Sequence, residues 1–292
     1  MNYEGLIIRP PSEADSLILQ VTVGCSHNRC TFCPAYKQKQ FRIKSEKDIR
    51  CDIEQAARMY GDEVRRVFLC DGDPLIMPQE RLIEVLNLLH QTFPKLQRIG
   101  IYGNAKSILR KSIEELAALR QKKLGIIYMG LESGDPVVLD KVQKGVVPEQ
   151  MIEAARRVRE ATIKLNVTVL LGLGGRERSR IHAQETMRVL NKMQPNHVAA
   201  LTLMVVPGTP LYEQEQRGEF ALPDKFELLA ELRTMIAESA LDNCLFFSNH
   251  ASNYFPVQAR LPRDKDKIIR ALDAVIASRD ERCLRSEFMR AL

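Results

Sequence analysis

The 292-residue sequence contains no apolar run that approaches the length of a membrane span, so a helical membrane role is excluded and a soluble protein is expected. It shows no internal repeat and no low-complexity linker, which leaves one substantial core with a small extension rather than a string of modules. No secretory signal follows Met1, and the seven cysteines are an odd count. A disulfide framework is therefore not expected, and the chain reads as cytoplasmic. Charge bias is small: 43 Lys and Arg against 37 Asp and Glu give a net charge of +6.

One local absence matters more. Cys25, Cys30 and Cys33 lie within nine residues, and no fourth cysteine shares their loop. Thiolates this close can reach one inorganic cluster. A [4Fe–4S] cube normally takes four thiolates, so three would leave one iron open to a non-protein ligand. The spacing alone also admits zinc with a distant fourth ligand, for which His27 is available, or free thiols.

The surrounding chain predicts an α/β fold. Apolar runs that read as buried strands cover 17–23, 66–70, 98–102, 125–131, 165–171 and 197–204. Amphipathic helical stretches are expected near 49–60, 79–92, 112–122, 148–162 and 181–193. Six β-then-α units imply a parallel sheet with right-handed crossovers, here a partial (β/α)6 TIM-like barrel over 1–215. In such folds the working face lies where the strands end. Those ends are polar and glycine-rich: Asp71-Gly72-Asp73-Pro74, Gly103-Asn104, Glu132-Ser133-Gly134-Asp135, Gly172-Leu173-Gly174-Gly175 and Pro207-Gly208. Each is singly a turn signal. Together on one rim they suggest a polar ligand approached closely by backbone.

Over roughly residues 15 to 215 these features resemble the radical S-adenosylmethionine (SAM) enzymes. The similarity is greatest to the branch of oxygen-independent coproporphyrinogen oxidases, tRNA methylthiotransferases and the elongator acetyltransferase subunit. Cys25, Cys30 and Cys33 match the cluster loop, and Phe32 stands at its aromatic position. Leu131-Glu132-Ser133-Gly134-Asp135 with Val138-Leu139 and Lys144-Gly145 is the most branch-specific signature. Asp71-Gly72-Asp73-Pro74 resembles the segment that receives the methionyl amine, and Gly172-Leu173-Gly174 the turn beside the adenine. Two features depart from the family pattern. Four residues separate Cys25 from Cys30 where three are usual, and Asp73 stands where Glu is usual.

The resemblance implies that the amine and carboxylate of SAM chelate the open iron of a [4Fe–4S] cluster. One electron then breaks the sulfonium carbon–sulfur bond, and the deoxyadenosyl radical takes hydrogen from a substrate. It also implies a flavodoxin- or ferredoxin-type electron donor. Asp71, Asp73 and Glu132 have the charge to hold the cationic end of SAM. Lys144 suits its carboxylate, and Asn104 and Thr168 suit its ribose hydroxyls. Satisfied rim or surface roles are the alternative for these last three.

The remaining segments carry weaker signals. Cys51, Cys70, Cys244 and Cys283 form no second cluster motif, and Cys70 is the one expected near the site. Lys37, Lys39, Arg42, Lys44 and Lys47 form a basic run, read as a solvated face or a donor-docking patch and, less readily, a nucleic-acid contact. Residues 216–292 are expected to be a helical extension, with helices at 226–241 and 264–278. Phe246 to Pro256 is either a polar turn or a seventh strand presenting Asn249, His250, Asn253 and Tyr254 to substrate; on the second reading His250 or Tyr254 moves a proton. No added RNA-binding or acetyltransferase domain is visible, so a small-molecule or tetrapyrrole substrate is favoured over nucleic acid. A tRNA-modifying enzyme and a non-catalytic haem-trafficking protein are the alternatives.

Overall fold

The protein is described here by a computed structural model covering residues 1–291. It is α/β throughout, with helices and strands alternating as the sequence predicts. Two compact units are present. The first comprises Met1–Asn28, Ala35–Met129 and Arg156–Leu165; the second comprises Arg29–Pro34, Gly130–Ala155 and the described residues from Asn166 onward. This division does not fall at the boundary near residue 215 expected from the sequence. Cys25 belongs to the first unit, and Cys30 and Cys33 to the second.

In the first unit the strands are β1 (Leu17–Gln20), the short pair β2 (Thr22–Val23) and β3 (Arg42–Ile43), then β4 (Arg66–Cys70), β5 (Arg98–Tyr102) and most of β6 (Leu124–Glu132). β1, β4, β5 and β6 pair in that order, all parallel. Val67, Phe68, Leu69 and Cys70 have no exposed surface. A run buried on both faces suits a parallel sheet covered by helices, here including α1 (Glu46–Tyr60) and α2 (Gln79–Thr92). Each fully buried large apolar side chain contributes about 1.5–3 kcal/mol. The expected strand over 17–23 is broken at Val21. Its N–H donates to the Cys70 carbonyl, while its own carbonyl accepts from Lys44 N–H. Beyond that point Thr22 and Val23 pair antiparallel with Ile43 and Arg42. The hairpin so formed closes the base of the cysteine loop.

Lys44, expected on a basic surface, is 1% exposed. Its ammonium donates to Asp52 Oδ2 at 2.7 Å and to the Asn2 carbonyl at 2.8 Å. Asp52→Ala leaves that ammonium with one neutral acceptor, and breaking a buried pair from one side costs about 3–5 kcal/mol. The variant is expected to melt well below the parent in a thermal scan of anaerobically purified protein. An unchanged midpoint would mean that Lys44 reaches solvent.

The second unit holds α5 (Pro136–Lys141), most of α6 (Pro148–Glu160), β7 (Lys164–Leu171), α7 (Gly175–Met193), β8 (His197–Thr202), α8 (Pro210–Gln216), α9 (Lys225–Ala237), β9 (Cys244–Ser248), β10 (Val257–Leu261) and α10 (Lys265–Ser278). The small helices α3 (Ala105–Leu109) and α4 (Ile113–Gln121) belong to the first unit. β7, β8 and β9 run parallel, and β10 turns back antiparallel on β9. The segment after residue 216 is therefore not simply helical. β9 is the seventh strand that the sequence left open. β10 alternates buried Val257, Ala259 and Leu261 with exposed Gln258 and Arg260, the pattern of a sheet with one solvated face. α7 begins six residues before the expected Ile181, because its first turns carry polar residues that bind neighbouring loops rather than an apolar stripe.

Candidate active site at the strand ends

In the first unit the cysteine loop is anchored at its root by two buried aspartates. Asp71 follows β4 and has no exposed surface. Its Oδ2 accepts from Lys39 Nζ at 2.7 Å, Gly24 N–H at 3.1 Å and Gln20 Nε2 at 3.3 Å. Gly24 immediately precedes Cys25. Burial, and then the Asp71 charge, push the Tyr36 phenol above its usual range. Gly72 is pressed against the same loop. A Cβ at Gly72 would stand 2.8 Å from Cys25 Cβ and 2.9 Å from Tyr36 Cε2, so only glycine fits.

Asp73 is equally buried and takes four donors. Oδ2 accepts from Ser26 Oγ at 2.5 Å, Ser107 Oγ at 2.6 Å and Asn104 Nδ2 at 2.7 Å. Oδ1 accepts from Asn104 N–H at 3.1 Å. Burial pushes the Asp73 carboxyl up to about 6, and these hydrogen bonds pull it the other way. Asn104 caps α3 through Oδ1, which accepts from Ser107 N–H at 2.9 Å, and its amide hydrogens go to Asp73 and Ser26. The resemblance implies SAM-binding roles for Asp71, Asp73 and Asn104. Each of them puts one hydrogen bond on a residue that flanks Cys25: Asp71 accepts from Gly24 N–H, Asp73 accepts from Ser26 Oγ, and Asn104 donates to Ser26 Oγ, while Asp71 Oδ1 is buried with no hydrogen-bond partner among the described residues.

In the second unit Cys30 and Cys33 are partly buried, as Cys25 is in the first. The carbonyl of Thr31 accepts from Leu211 N–H, and its N–H donates to the Val142 carbonyl. Phe32 packs on a buried cluster of Val138, Val142, Leu173, Leu203 and Leu211. Glu132 ends β6 in the left-handed region, at φ 63°. It pairs with Lys144 Nζ at 2.9 Å, both side chains being little exposed. A Cβ at Gly130 would collide with Glu132 Oε1, so this glycine makes room for the folded-back carboxylate. Thr168 lies partly buried on β7. Gly172, at φ 84°, turns the chain out of β7 and donates its N–H to Glu231 Oε1 at 2.7 Å.

Two residues of this unit, Glu231 and His182, give no signal in the sequence. Glu231 of α9 is 2% exposed, and burial pushes its carboxyl up. Besides Gly172 it accepts from Ser179 Oγ at 2.5 Å. His182 of α7 has no exposed surface. Its Nε2 lies 3.0 Å from the Leu170 carbonyl and 3.5 Å from Glu231 Oε1, two acceptors that require a hydrogen there. In the neutral ring Nδ1 then accepts from Ser133 Oγ at 2.7 Å.

His250 and Tyr254 sit in the turn between β9 and β10. His250 Nδ1 bonds to Ser252 Oγ at 3.0 Å, and burial and the Arg285 charge hold its imidazole below the usual range. Tyr254 donates to Glu287 Oε2 at 2.7 Å and lies under the Arg290 guanidinium, 4.1 Å from the ring centre. Asn249 is exposed; Asn253 is buried and bonded to Thr202 Oγ1 and the Ala200 carbonyl. The turn is thus a satisfied polar turn as well as a strand end. Arg285 and Arg290 strap the C-terminal segment to its carbonyls.

Of the five basic residues at 37–47, three are paired with carboxylates, and Lys37 and Lys47 are exposed. Lys39 is spent on Asp71, Lys44 on Asp52, and Arg42 on Glu4 at 2.5 Å. Lys37 donates to the Asn28 carbonyl at 3.2 Å.

The donor set suits iron and sulfide. Three partly buried thiols on one short loop are soft ligands, and Gly72 leaves the loop at Cys25 no room for a side chain from the strand end. Among the described residues no three His, Cys, Asp or Glu side chains converge as ligands of a single ion do. Thiolates of a four-iron cube bind different irons and need not converge. No described helix is long and apolar enough to cross a membrane.

Comparison with known proteins bears on this arrangement. The family model of the radical SAM superfamily matches residues 19–190. The chain is 26% identical over 206 residues to a tRNA-2-methylthio-N(6)-dimethylallyladenosine synthase of Dehalococcoides mccartyi, covering 68% of this chain and 48% of that protein. It is 22% identical over 197 residues to an uncharacterized methyltransferase of Pyrococcus horikoshii, covering 67% of this chain and 41% of that one. The chain thus spans less than half the length of both. Among solved structures, coproporphyrinogen III oxidase of Escherichia coli superposes with a TM-score of 0.57 over 77% of this chain and 51% of its own, at 16% identity. That likeness shows the fold, the TIM-like partial barrel expected from the sequence. With the family model covering more than half of the chain and three cysteines present in the cluster loop, the protein belongs to the radical SAM superfamily, whose enzymes use a [4Fe–4S] cluster and SAM.

Proposed function

We propose that the protein cleaves SAM reductively and uses the product to take hydrogen from a small organic substrate, a tetrapyrrole being one such class. The carrying observation is the locked root of the cysteine loop. Asp71 holds Gly24, Asp73 holds Ser26, and Gly72 packs on Cys25 between them. A loop fixed on both sides of its first cysteine is preorganised to receive a cluster.

On this reading Cys25, Cys30 and Cys33 hold the cluster, and when bound with SAM it supplies one-electron cleavage of the sulfonium carbon–sulfur bond. Gly72 offers backbone to the methionyl end, and Glu132 with Lys144 offers a matched charge pair to its ammonium and carboxylate. Phe32, Thr168 and the Gly172 turn border the adenosine. Asp71, Asp73 and Asn104 act behind them as supports. His250 and Tyr254 retain a place as proton-moving groups, each already hydrogen-bonded in the resting protein. A small substrate is favoured over RNA because three of the five basic residues at 37–47, Lys39, Arg42 and Lys44, are paired with carboxylates of the same chain. An electron donor of the flavodoxin or ferredoxin type completes the cycle.

The test is anaerobic. Reconstituted protein, reduced with dithionite and given SAM, is expected to release 5′-deoxyadenosine, read by mass spectrometry. Incubation with cell extract in deuterated solvent then identifies which metabolite changes. Cleavage no greater than that of a Cys30→Ala control would remove the reading, and haem binding without cleavage would favour a trafficking protein.

A further inference from the structure

The loop after β6 is bound to a single stripe of α7. Arg178, His182 and Thr186 are spaced four residues apart, so they lie on one helix face. Each takes a different residue of the loop that follows Glu132. Arg178 Nη2 meets Asp135 Oδ2 at 2.8 Å, His182 Nδ1 meets Ser133 Oγ at 2.7 Å, and Thr186 Oγ1 accepts from Gly134 N–H at 2.9 Å. The fit is close. A Cβ at Gly134 would stand 2.3 Å from the Glu185 carbonyl oxygen of α7. On its other side the same histidine reaches the Leu170 carbonyl, two residues before Gly172, and a Cβ at Gly174 would stand 2.7 Å from His182 Cβ.

We infer that His182 is a positioning residue for SAM: it joins the loop after β6 to the turn after β7 and thereby sets the attitude of Glu132. This rests on the reading above in which Glu132 receives SAM. The physical argument is the left-handed backbone at Glu132. A non-glycine residue at φ 63° persists only where its surroundings over-determine it. Ser133, Gly134 and Asp135 are the next three residues, and all three are held by the α7 stripe. No part of the stripe needs to touch SAM for it to act.

The experiment uses full-length protein reconstituted anaerobically, with iron content and SAM affinity by calorimetry as readouts. His182→Phe keeps an aromatic ring and removes the polar contacts to Ser133, the Leu170 carbonyl and Glu231. Thr186→Val removes only the acceptor for Gly134 N–H, and serves if the histidine variant does not fold. Each is expected to retain parental iron and to weaken SAM binding about tenfold or more. Glu132→Ala is expected to weaken it similarly. Because the histidine acts through the carboxylate, the double variant His182→Phe/Glu132→Ala is expected to bind SAM about as weakly as the weaker single variant. A merely structural histidine would give effects that multiply, and that result overturns the inference. So does parental SAM affinity in His182→Phe and Thr186→Val while Glu132→Ala is weakened. Parental affinity in Glu132→Ala overturns the reading of Glu132 itself.

Discussion

Replacing Cys25, Cys30 or Cys33 by alanine, one at a time, is expected to remove most of the iron from anaerobically purified protein. The parent should hold about four irons per chain, with the broad visible absorption of thiolate-to-iron charge transfer. Three thiolates leave no redundancy. A cube that loses one of three protein thiolates has two open irons. The other cysteines do not supply a replacement. Cys51 and Cys283 are exposed, and their replacement should leave iron unchanged. Cys70 adjoins Asp71 and is the natural suspect for a fourth ligand. Burial, and then the Asp71 charge, push its thiol up, which disfavours the thiolate a metal needs. Burial likewise pushes the Cys244 thiol up to about 12. Cys70→Ala should therefore also keep parental iron. Stoichiometric zinc without iron in the parent, or parental iron in any of the three loop variants, would sink the assignment.

The loop could be read in the sequence because its chemistry is local: three thiols and an aromatic residue within nine positions. The strands were equally legible, since a parallel strand buried on both faces is a continuous apolar run, as in Val67 to Cys70. What the sequence could not show is which way a polar strand end faces. Asp71, Asp73 and Asn104 have the chemistry to bind a cationic ligand, and nothing local distinguishes that from binding protein. The deciding partners lie far along the chain: Lys39 is 32 residues from Asp71, and His182 is 49 from Ser133. The same limit hid α7's first turns. Arg178, His182 and Thr186 form a helical stripe as regular as an apolar one, but a polar stripe without visible partners reads as surface. β10 escaped for another reason. Its five residues follow Pro256, too short a run for alternation to stand out.

These partners divide the carboxylates by task, and the division has consequences for mutation. Asp71 and Asp73 hold the cysteine loop. Glu132 pairs with Lys144, and both side chains are partly accessible. Removing Glu132 should therefore act on SAM and spare the cluster. Removing Asp71 should act on the loop first, and on SAM only as a consequence.

Lys39→Met is accordingly expected to destabilise the protein and loosen its iron more than Asp71→Asn does. The ammonium is 11% exposed and the carboxylate 0%, so the two members of the pair are not equivalent. Without Lys39 the Asp71 carboxylate stays buried with only the neutral donors Gly24 N–H and Gln20 Nε2, and an uncompensated buried charge costs about 3–5 kcal/mol. Without the Asp71 charge, Lys39 still donates to the Leu6 carbonyl at 2.7 Å and lies near enough to the surface to turn toward water. That variant should cost about 1.5–3 kcal/mol, the range for a hydrogen bond to a charged group. The double variant Lys39→Met/Asp71→Asn removes both charges and should recover part of the loss, so the two effects are not additive. Two measurements follow this on anaerobically reconstituted protein: the thermal midpoint, and the rate at which a chelator strips the iron. Because Asp71 holds Gly24 beside Cys25, iron loss should rank in the same order as stability, with Lys39→Met fastest and the double variant slower. Additive midpoint shifts would show that the pair is not coupled. Parental chelation rates in all three variants would show that the cysteine loop holds its shape without this anchor.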